Sequence, residues 1–132
     1  MTTNFIKNKP DNIRYGDVVW VDLGEACGSE QGGTRPALII SNDKNNLHSP
    51  IVNIVPISSS KYKRDSKAYL PTHVPISPEE SGVTGINRES VAMCEQAKAI
   101  DKSRILDKSG HISNKYIIEK LNKCLTIQYN MI

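Results

Sequence analysis

The chain lacks the features that mark several large functional classes. No apolar run approaches the roughly 20 residues that a membrane-spanning helix needs. The N-terminal stretch MTTNFIKNKPDNIR has no apolar core of signal-peptide type. These two absences set the expectation of a cytoplasmic protein. No charge of one sign dominates: 17 Lys and Arg stand against 14 Asp and Glu, a net charge of +3. So mild a basic balance tolerates an RNA or an acidic protein partner without requiring either. Cysteine is scarce as well. Cys27, Cys94 and Cys124 are odd in number and far apart, and no CxxC or Cys/His zinc spacing exists. They read as reduced, structural thiols in a reducing compartment. Repeats and low-complexity segments are also missing.

What is present suits one globular domain. The 132 residues are 38% hydrophobic and 23% charged, enough for a single modest core. Residues 1–13 are polar, carry Pro10 and read as a flexible lead-in, with a single domain over 14–132. YGDVVWVDLG (Tyr15–Gly24) alternates with period two, the signature of a strand. PALIISN (Pro36–Asn42) is nearly continuous in apolar residues and suits a central strand. Asn42 to Pro50 reads as a polar connection. IVNIVPIS (Ile51–Ser58) predicts a third strand, with Pro56 suggesting an edge or a bulge. YLPTHVPI (Tyr69–Ile76) predicts a fourth, and Ser77 to Asn87 a loop. Glu89–Ile100 fits helix or strand, and DKSRILDK suggests a helical turn. From Ser113 the spacing of Ile117, Ile118, Leu121 and Leu125 changes to that of an amphipathic helix of about four turns, with Ser113 as a cap. Five or so strands followed by one helix predict a small, bent antiparallel sheet or open barrel with the helix packed on it.

Few residues stand out chemically. GSEQGGTRPALII (Gly28–Ile40) is rich in glycine, but it is neither GxGxxG nor followed by GK[ST], and it leads into a strand where phosphate loops open a helix. The bland reading is a hairpin loop whose glycines permit positive φ. The sharper one makes the loop a hinge beside Arg35. Pro36 fixes its own φ and biases Arg35 towards extended geometry, so a planar fork of donors emerges from a firm base. Ser58–Ser60 end the third strand and offer hydroxyls. His48, His73 and His111 lie in three separate segments. No Ser-His-Asp or Cys-His order is set by spacing, and no paired carboxylates appear. Glu30 and Glu95 are the acids in suggestive positions.

GDVVWVDL, GSEQGGTRPALIISND, LPTHVPI, EQAKAIDKSRI and GHIS occur in that order, followed by the amphipathic helix. Over Arg14–Ile132 the chain resembles the MazF/PemK family of toxin endoribonucleases. The resemblance implies a mainly β fold with a C-terminal helix, a small SH3-like open barrel assembled as a homodimer. It implies metal-independent, cofactor-free cleavage of single-stranded RNA, in which the 2′-hydroxyl attacks the adjacent phosphorus. It further implies an antitoxin that inhibits the dimer with an extended acidic tail. The family's catalytic arginine falls on Arg35. Its catalytic threonine falls on Ser58, which keeps the hydroxyl but loses the methyl that restrains χ1. Ser29, Glu30, Gln31, Asn42 and Gln96 are candidate RNA contacts. Lys61, Lys63, Arg64 and Lys67 lie in a loop that is longer than usual for the family, as is 77–89, and are candidates for phosphate contacts. His48 or Glu30 is a candidate for proton transfer. Two other readings stay open: a non-enzymatic topoisomerase poison of the same fold, as in the related CcdB group, and an RNA-binding regulatory module.

Overall fold

Alternation in DVVWVD builds β1 (Asp17–Asp22), and both of its faces are buried. Val18 enters one apolar cluster, while Val19 and Val21 enter another. The same division runs through β2 (Thr34–Ile39) and β3 (Ile51–Ser58). Leu38, Val55 and Ile57 join Val18; Ala37, Ile39, Val52 and Ile54 join Val19 and Val21. A strand buried on both sides needs a cover on each, and the remaining elements supply them. The computed structural model describes residues 12–59, 70–81, 86 and 88–131.

On the first face lie β4 (His73–Ile76), β5 (Ser90–Met93) and the C-terminal helix α3 (Lys115–Gln128), which bring Val74, Ile76, Ala92, Ile117 and Leu121. On the second lie β6 (Lys98–Asp101) and β7 (Ile105–His111), which bring Ile100 and Ile105. Ile13 belongs to this second cluster. The strand order is β4-β5-β3-β2-β1-β7, with β6 pairing β3, and every pair is antiparallel. Register shifts between β1 and β7, at Val18/Val19 and Trp20/Val21, bend the sheet towards a barrel. The architecture is mainly β with a C-terminal helix, as expected. Each fully buried Leu or Ile contributes on the order of 2 kcal/mol.

The helix α3 starts one residue later than the Ser113 cap predicts. Asn114 is the cap, and its Oδ1 accepts from the N–H of Tyr116 (2.9 Å) and of Ile117 (3.2 Å). Ile117, Leu121 and Cys124 form its buried stripe.

Other expectations are corrected. The polar connection after β2 contains a helix, α1 (Asp43–His48). Asn42 caps it by accepting from Asn45 N–H, and Asn46 is buried and donates to the Ser41 carbonyl at 2.8 Å. An amide-held polar helix leaves no hydrophobic period to detect. Ser77–Asn87 includes one helical turn, α2 (Pro78–Ser81). The ambiguous 89–100 stretch is β5 and β6, joined by a 3₁₀ turn at Cys94–Gln96. DKSRILDK is a 3₁₀ turn at Lys102–Arg104 running into a strand, β7. The described residues thus hold seven strands rather than five. Pro56 is not on an edge strand, because β3 pairs β2 on one side and β6 and β5 on the other. Cys94 and Cys124 are buried, but Cys27 is exposed and so has no packing role. No helix among the described residues is long and apolar enough to cross a membrane.

Candidate functional site

The hairpin between β1 and β2 is the glycine-rich segment. Its neck is held by Leu23 N–H to the Gly33 carbonyl (3.0 Å) and Gly33 N–H to the Gly24 carbonyl (2.7 Å). Gly33 has φ +73°, a left-handed geometry that favours glycine. Gly32 is required for a different reason. A Cβ there would lie 2.6 Å from the Ala26 nitrogen and 2.9 Å from the Gly24 carbonyl oxygen. The segment is therefore a hairpin loop and also a tightly folded base for the start of β2.

Arg35 stands at that start. It is the second residue of β2 and is half-buried. Its Nε donates to the Gly32 carbonyl at 2.9 Å, which fixes the plane of the guanidinium and leaves the two terminal nitrogens to act. Burial lowers its pKa below the usual arginine value. Partial loss of hydration makes this cation a readier partner for an anion. Pro36 pairs Trp20 of β1, and the pairing with β3 begins only at Ala37, so the missing N–H falls where β2 has a single partner strand.

Ser58 ends β3, is 6% exposed and pairs across from Val91 of β5. The β2–β3 register sets Ala37 opposite Pro56. Arg35 lies two residues beyond this last pair on β2, and Ser58 two residues beyond it on β3, towards the same end of the sheet. The two candidates of catalytic type thus come from adjacent strands, both beyond the Ala37–Pro56 pair.

Pro56 forms the floor of a cleft of about 490 Å³ that Ser29, Glu30, Gln31, Glu95, Gln96, Ala97 and Lys98 also line. Three predicted contacts, Ser29, Glu30 and Gln31, lie on its loop side; Gln96 lies on the other. Gln96 is engaged with the loop backbone. Its Oε1 accepts from Gln31 N–H at 2.7 Å, and its Nε2 donates to the Ser29 carbonyl at 3.5 Å. Glu95 is held by Thr72 Oγ1 (3.1 Å) and His73 Nε2 (2.7 Å). Leu70 N–H lies 3.3 Å from His73 Nδ1, and His73 Nε2 faces Glu95.

Other predicted residues are elsewhere. Asn42 caps α1 beyond the far end of β2, and its side-chain oxygen accepts from Asn45 N–H at 2.8 Å. His48 ends the same helix, so of the two proton-transfer candidates only Glu30 lines the cleft. Lys61, Lys63, Arg64 and Lys67 lie outside the described residues. Lys98, Thr72 and His73 had no sequence signal as site residues. They reach the cleft or its supporting network only through pairing, β6 on β3 and His73 opposite Met93. Among the described residues, no group of three or more His, Cys, Asp or Glu side chains is placed to hold a metal ion.

Comparison with known proteins gives the geometry a context. The family model described as "PemK-like, MazF-like toxin of type II toxin-antitoxin system" matches residues 14–129. The chain is 38% identical over 120 residues to endoribonuclease EndoA of Bacillus subtilis, covering 91% of this chain and 97% of the relative. It is 40% identical over 110 residues to endoribonuclease MazF of Staphylococcus saprophyticus, covering 83% and 86%. A solved endoribonuclease in complex with its cognate antitoxin, from a Mycobacterial species, superposes with a TM-score of 0.70 at 22% identity, covering 91% of this chain and 97% of that one. With a family match over most of its length, the chain belongs to the PemK-like, MazF-like toxins of type II toxin-antitoxin systems.

Proposed function

We propose that this protein is an endoribonuclease toxin that cleaves single-stranded RNA by internal transesterification, with Arg35 and Ser58 as its catalytic residues. The observation that carries the reading is the guanidinium of Arg35, tethered at Nε to the polar loop that lines one side of the cleft. The names of the two curated relatives point the same way.

The reaction needs little from the protein. The 2′-oxygen bonds to phosphorus and loses its proton to a base, and the bond from phosphorus to the 5′-oxygen breaks as that oxygen gains a proton. The products are a 2′,3′-cyclic phosphate and a 5′-hydroxyl. Negative charge grows on the non-bridging oxygens in between. The terminal nitrogens of Arg35, with Nε tethered, donate to those oxygens, and the Ser58 hydroxyl adds a further donor. Because these donors are fixed in advance, no reorganisation is needed during the step. Arginine stays protonated at neutral pH, so it stabilises charge and does not act as the base. Glu30, on the cleft wall, is the candidate for proton transfer. Lys98 at the cleft rim, with Lys61, Lys63 and Arg64, would meet flanking phosphates.

The reading includes a homodimer, a cytoplasmic setting, and an antitoxin that lays an extended acidic tail across the dimer. The solved toxin–antitoxin complex of similar fold is in keeping with the last point.

The test is incubation of purified protein with a long single-stranded RNA in EDTA, followed by sequencing of the product ends. Discrete cuts leaving 5′-hydroxyl ends are expected. Intact RNA in the presence of folded protein would leave the topoisomerase poison or the RNA-binding module as the better reading. Ser58→Ala should slow the chemical step more than it weakens RNA binding; a pure loss of affinity would reduce Ser58 to a contact residue.

A further inference from the structure

Two side chains from different parts of the fold grip consecutive residues of the glycine loop. Gln96, in the turn between β5 and β6, accepts from Gln31 N–H at 2.7 Å and donates to the Ser29 carbonyl at 3.5 Å. Arg35 Nε donates to the carbonyl of the next residue, Gly32, at 2.9 Å. Gly32 is wedged against Ala26, with no room even for a Cβ, so it cannot shift apart from the loop. Gly28 has φ of +59° and open space around it, which makes it the pliable point on one side, while Gly33, at φ +73°, is tied to Leu23 and Gly24 at the neck on the other.

From this arrangement we infer that Gln96 is a positioning residue for Arg35: by latching the loop, it holds the Gly32 carbonyl where Arg35 Nε meets it. The inference rests on the cleavage reading above. A guanidinium tied at Nε keeps its plane and presents its outer edge in one direction. The far side of the Gly32–Gly33 peptide is held by the Gly33 N–H bond to the Gly24 carbonyl, and Gln96 holds the near side through Gln31. Unlatched, the peptide tilts about the neck bond, and Arg35 samples rotamers in which that edge turns away. The Gln96 amide is occupied on both sides by backbone, so its contribution appears in the rate of the chemical step and not in the affinity for RNA. Glu95, next in the chain and pinned by Thr72 and His73, fixes the turn from which Gln96 projects.

Two variants test the latch. Gln96→Ala removes both bonds; Gln96→Glu keeps an oxygen acceptor for Gln31 N–H and loses the donor to Ser29. Gln96→Ala is expected to lower kcat about tenfold with KM within about twofold, the size of the short bond to Gln31 with little added by the long one to Ser29. Gln96→Glu is expected to return kcat to within about threefold of wild type. Amide exchange at Gln31, read by NMR without RNA, should quicken by about tenfold in Gln96→Ala and revert in Gln96→Glu. A raised KM with unchanged kcat would make Gln96 an RNA contact and overturn the positioning role. Equal losses in the two variants, or unchanged Gln31 exchange, would overturn it as well. Wild-type protein that leaves RNA intact would defeat the cleavage reading and the positioning role with it, while the exchange comparison would still decide whether the latch exists.

Discussion

Arg35→Lys tests the geometry of the site more sharply than removal of the side chain does. Lysine keeps the positive charge but has no Nε–H for the Gly32 carbonyl, which now accepts at 2.9 Å. It also replaces a planar fork by a rotating ammonium with three donors. If charge alone mattered, the substitution would be nearly silent. If the tethered fork matters, at least one charge-assisted hydrogen bond to the phosphorane is lost. Such a bond contributes about 1.5–3 kcal/mol, or roughly ten- to a hundredfold in rate. Arg35→Ala removes charge and fork together and should cost at least about 10²–10³, the range for loss of a preorganised donor. The assay is single-turnover cleavage of an end-labelled RNA in EDTA, with protein in excess so that binding does not limit. Thermal unfolding serves as the control, because loss of the one Nε hydrogen bond to Gly32 should cost about 0.5–1.5 kcal/mol, too little to unfold the chain. A lysine variant within about threefold of wild type would refute the fork argument. An alanine variant with more than about a tenth of the wild-type rate would remove Arg35 from catalysis.

The thiols and the buried carboxylate give independent checks. Of the three cysteines only Cys27 is exposed, so a thiol reagent should label one site per native chain and all three after denaturation; rapid native labelling of Cys94 would contradict its burial. Burial, with smaller contributions from Cys124 and Glu95, pushes the Cys94 thiol from 9.0 up to about 12. The unfolded chain then releases this proton near pH 9 and the folded one near pH 12, so stability measured in urea should fall as pH rises through that window. Asp17 is fully buried and accepts from Arg14 N–H (2.7 Å), Lys108 Nζ (3.1 Å) and His111 Nδ1 (2.8 Å). Asp17→Asn should destabilise by about 2–3 kcal/mol in urea unfolding, below the usual 3–5 for a broken buried pair because Lys108 and His111 can regain water; a cost under about 0.5 kcal/mol would mean the cluster is not coupled to folding.

Local pattern carried the parts of this fold that depend on local pattern. The β1 alternation, the apolar run of β2 and the i, i+4 spacing of α3 each announce themselves, because each buries a regular set of side chains. The glycine hairpin was legible for a similar reason, because glycines and Pro36 restrict the backbone whatever surrounds them, while Arg35 was singled out by the family resemblance. What stayed hidden was held by polar groups or by partners distant in sequence. The helix α1 is organised by Asn42 and Asn46, not by an apolar stripe. The strand β7 carries Asp107, Lys108 and Ser109 through its middle and is a strand because β1 pairs with it. In the same way, nothing in THVPI shows that His73 will face Glu95, 22 positions away; the pairing of β4 with β5 brings them together.

The position of the cleft follows from one feature of β3. Its outer edge pairs β6 as far as Ile54 opposite Lys98, and β5 from Ile57 opposite Ala92. Between these pairs the covering chain leaves the sheet as the Cys94–Gln96 turn, and among the described residues Val55 and Pro56 have no strand partner on that edge. Proline is suited to this interval, since it has no N–H to leave unpaired. The turn, lifted off the sheet, carries Glu95 and Gln96 over the gap, and the loop before β2 comes down to meet Gln96. A break in pairing on a central strand thus makes the floor, one wall and the attachment point of the roof. Arg35 and Ser58 come towards the same end of the sheet because the register of β2 on β3 is set by the apolar rows at Ala37–Ile39 and Ile54–Pro56, and a one-residue slip would turn Leu38 and Val55 out of their core. The positions of the candidate residues are therefore set by the packing of residues that take no part in the proposed chemistry.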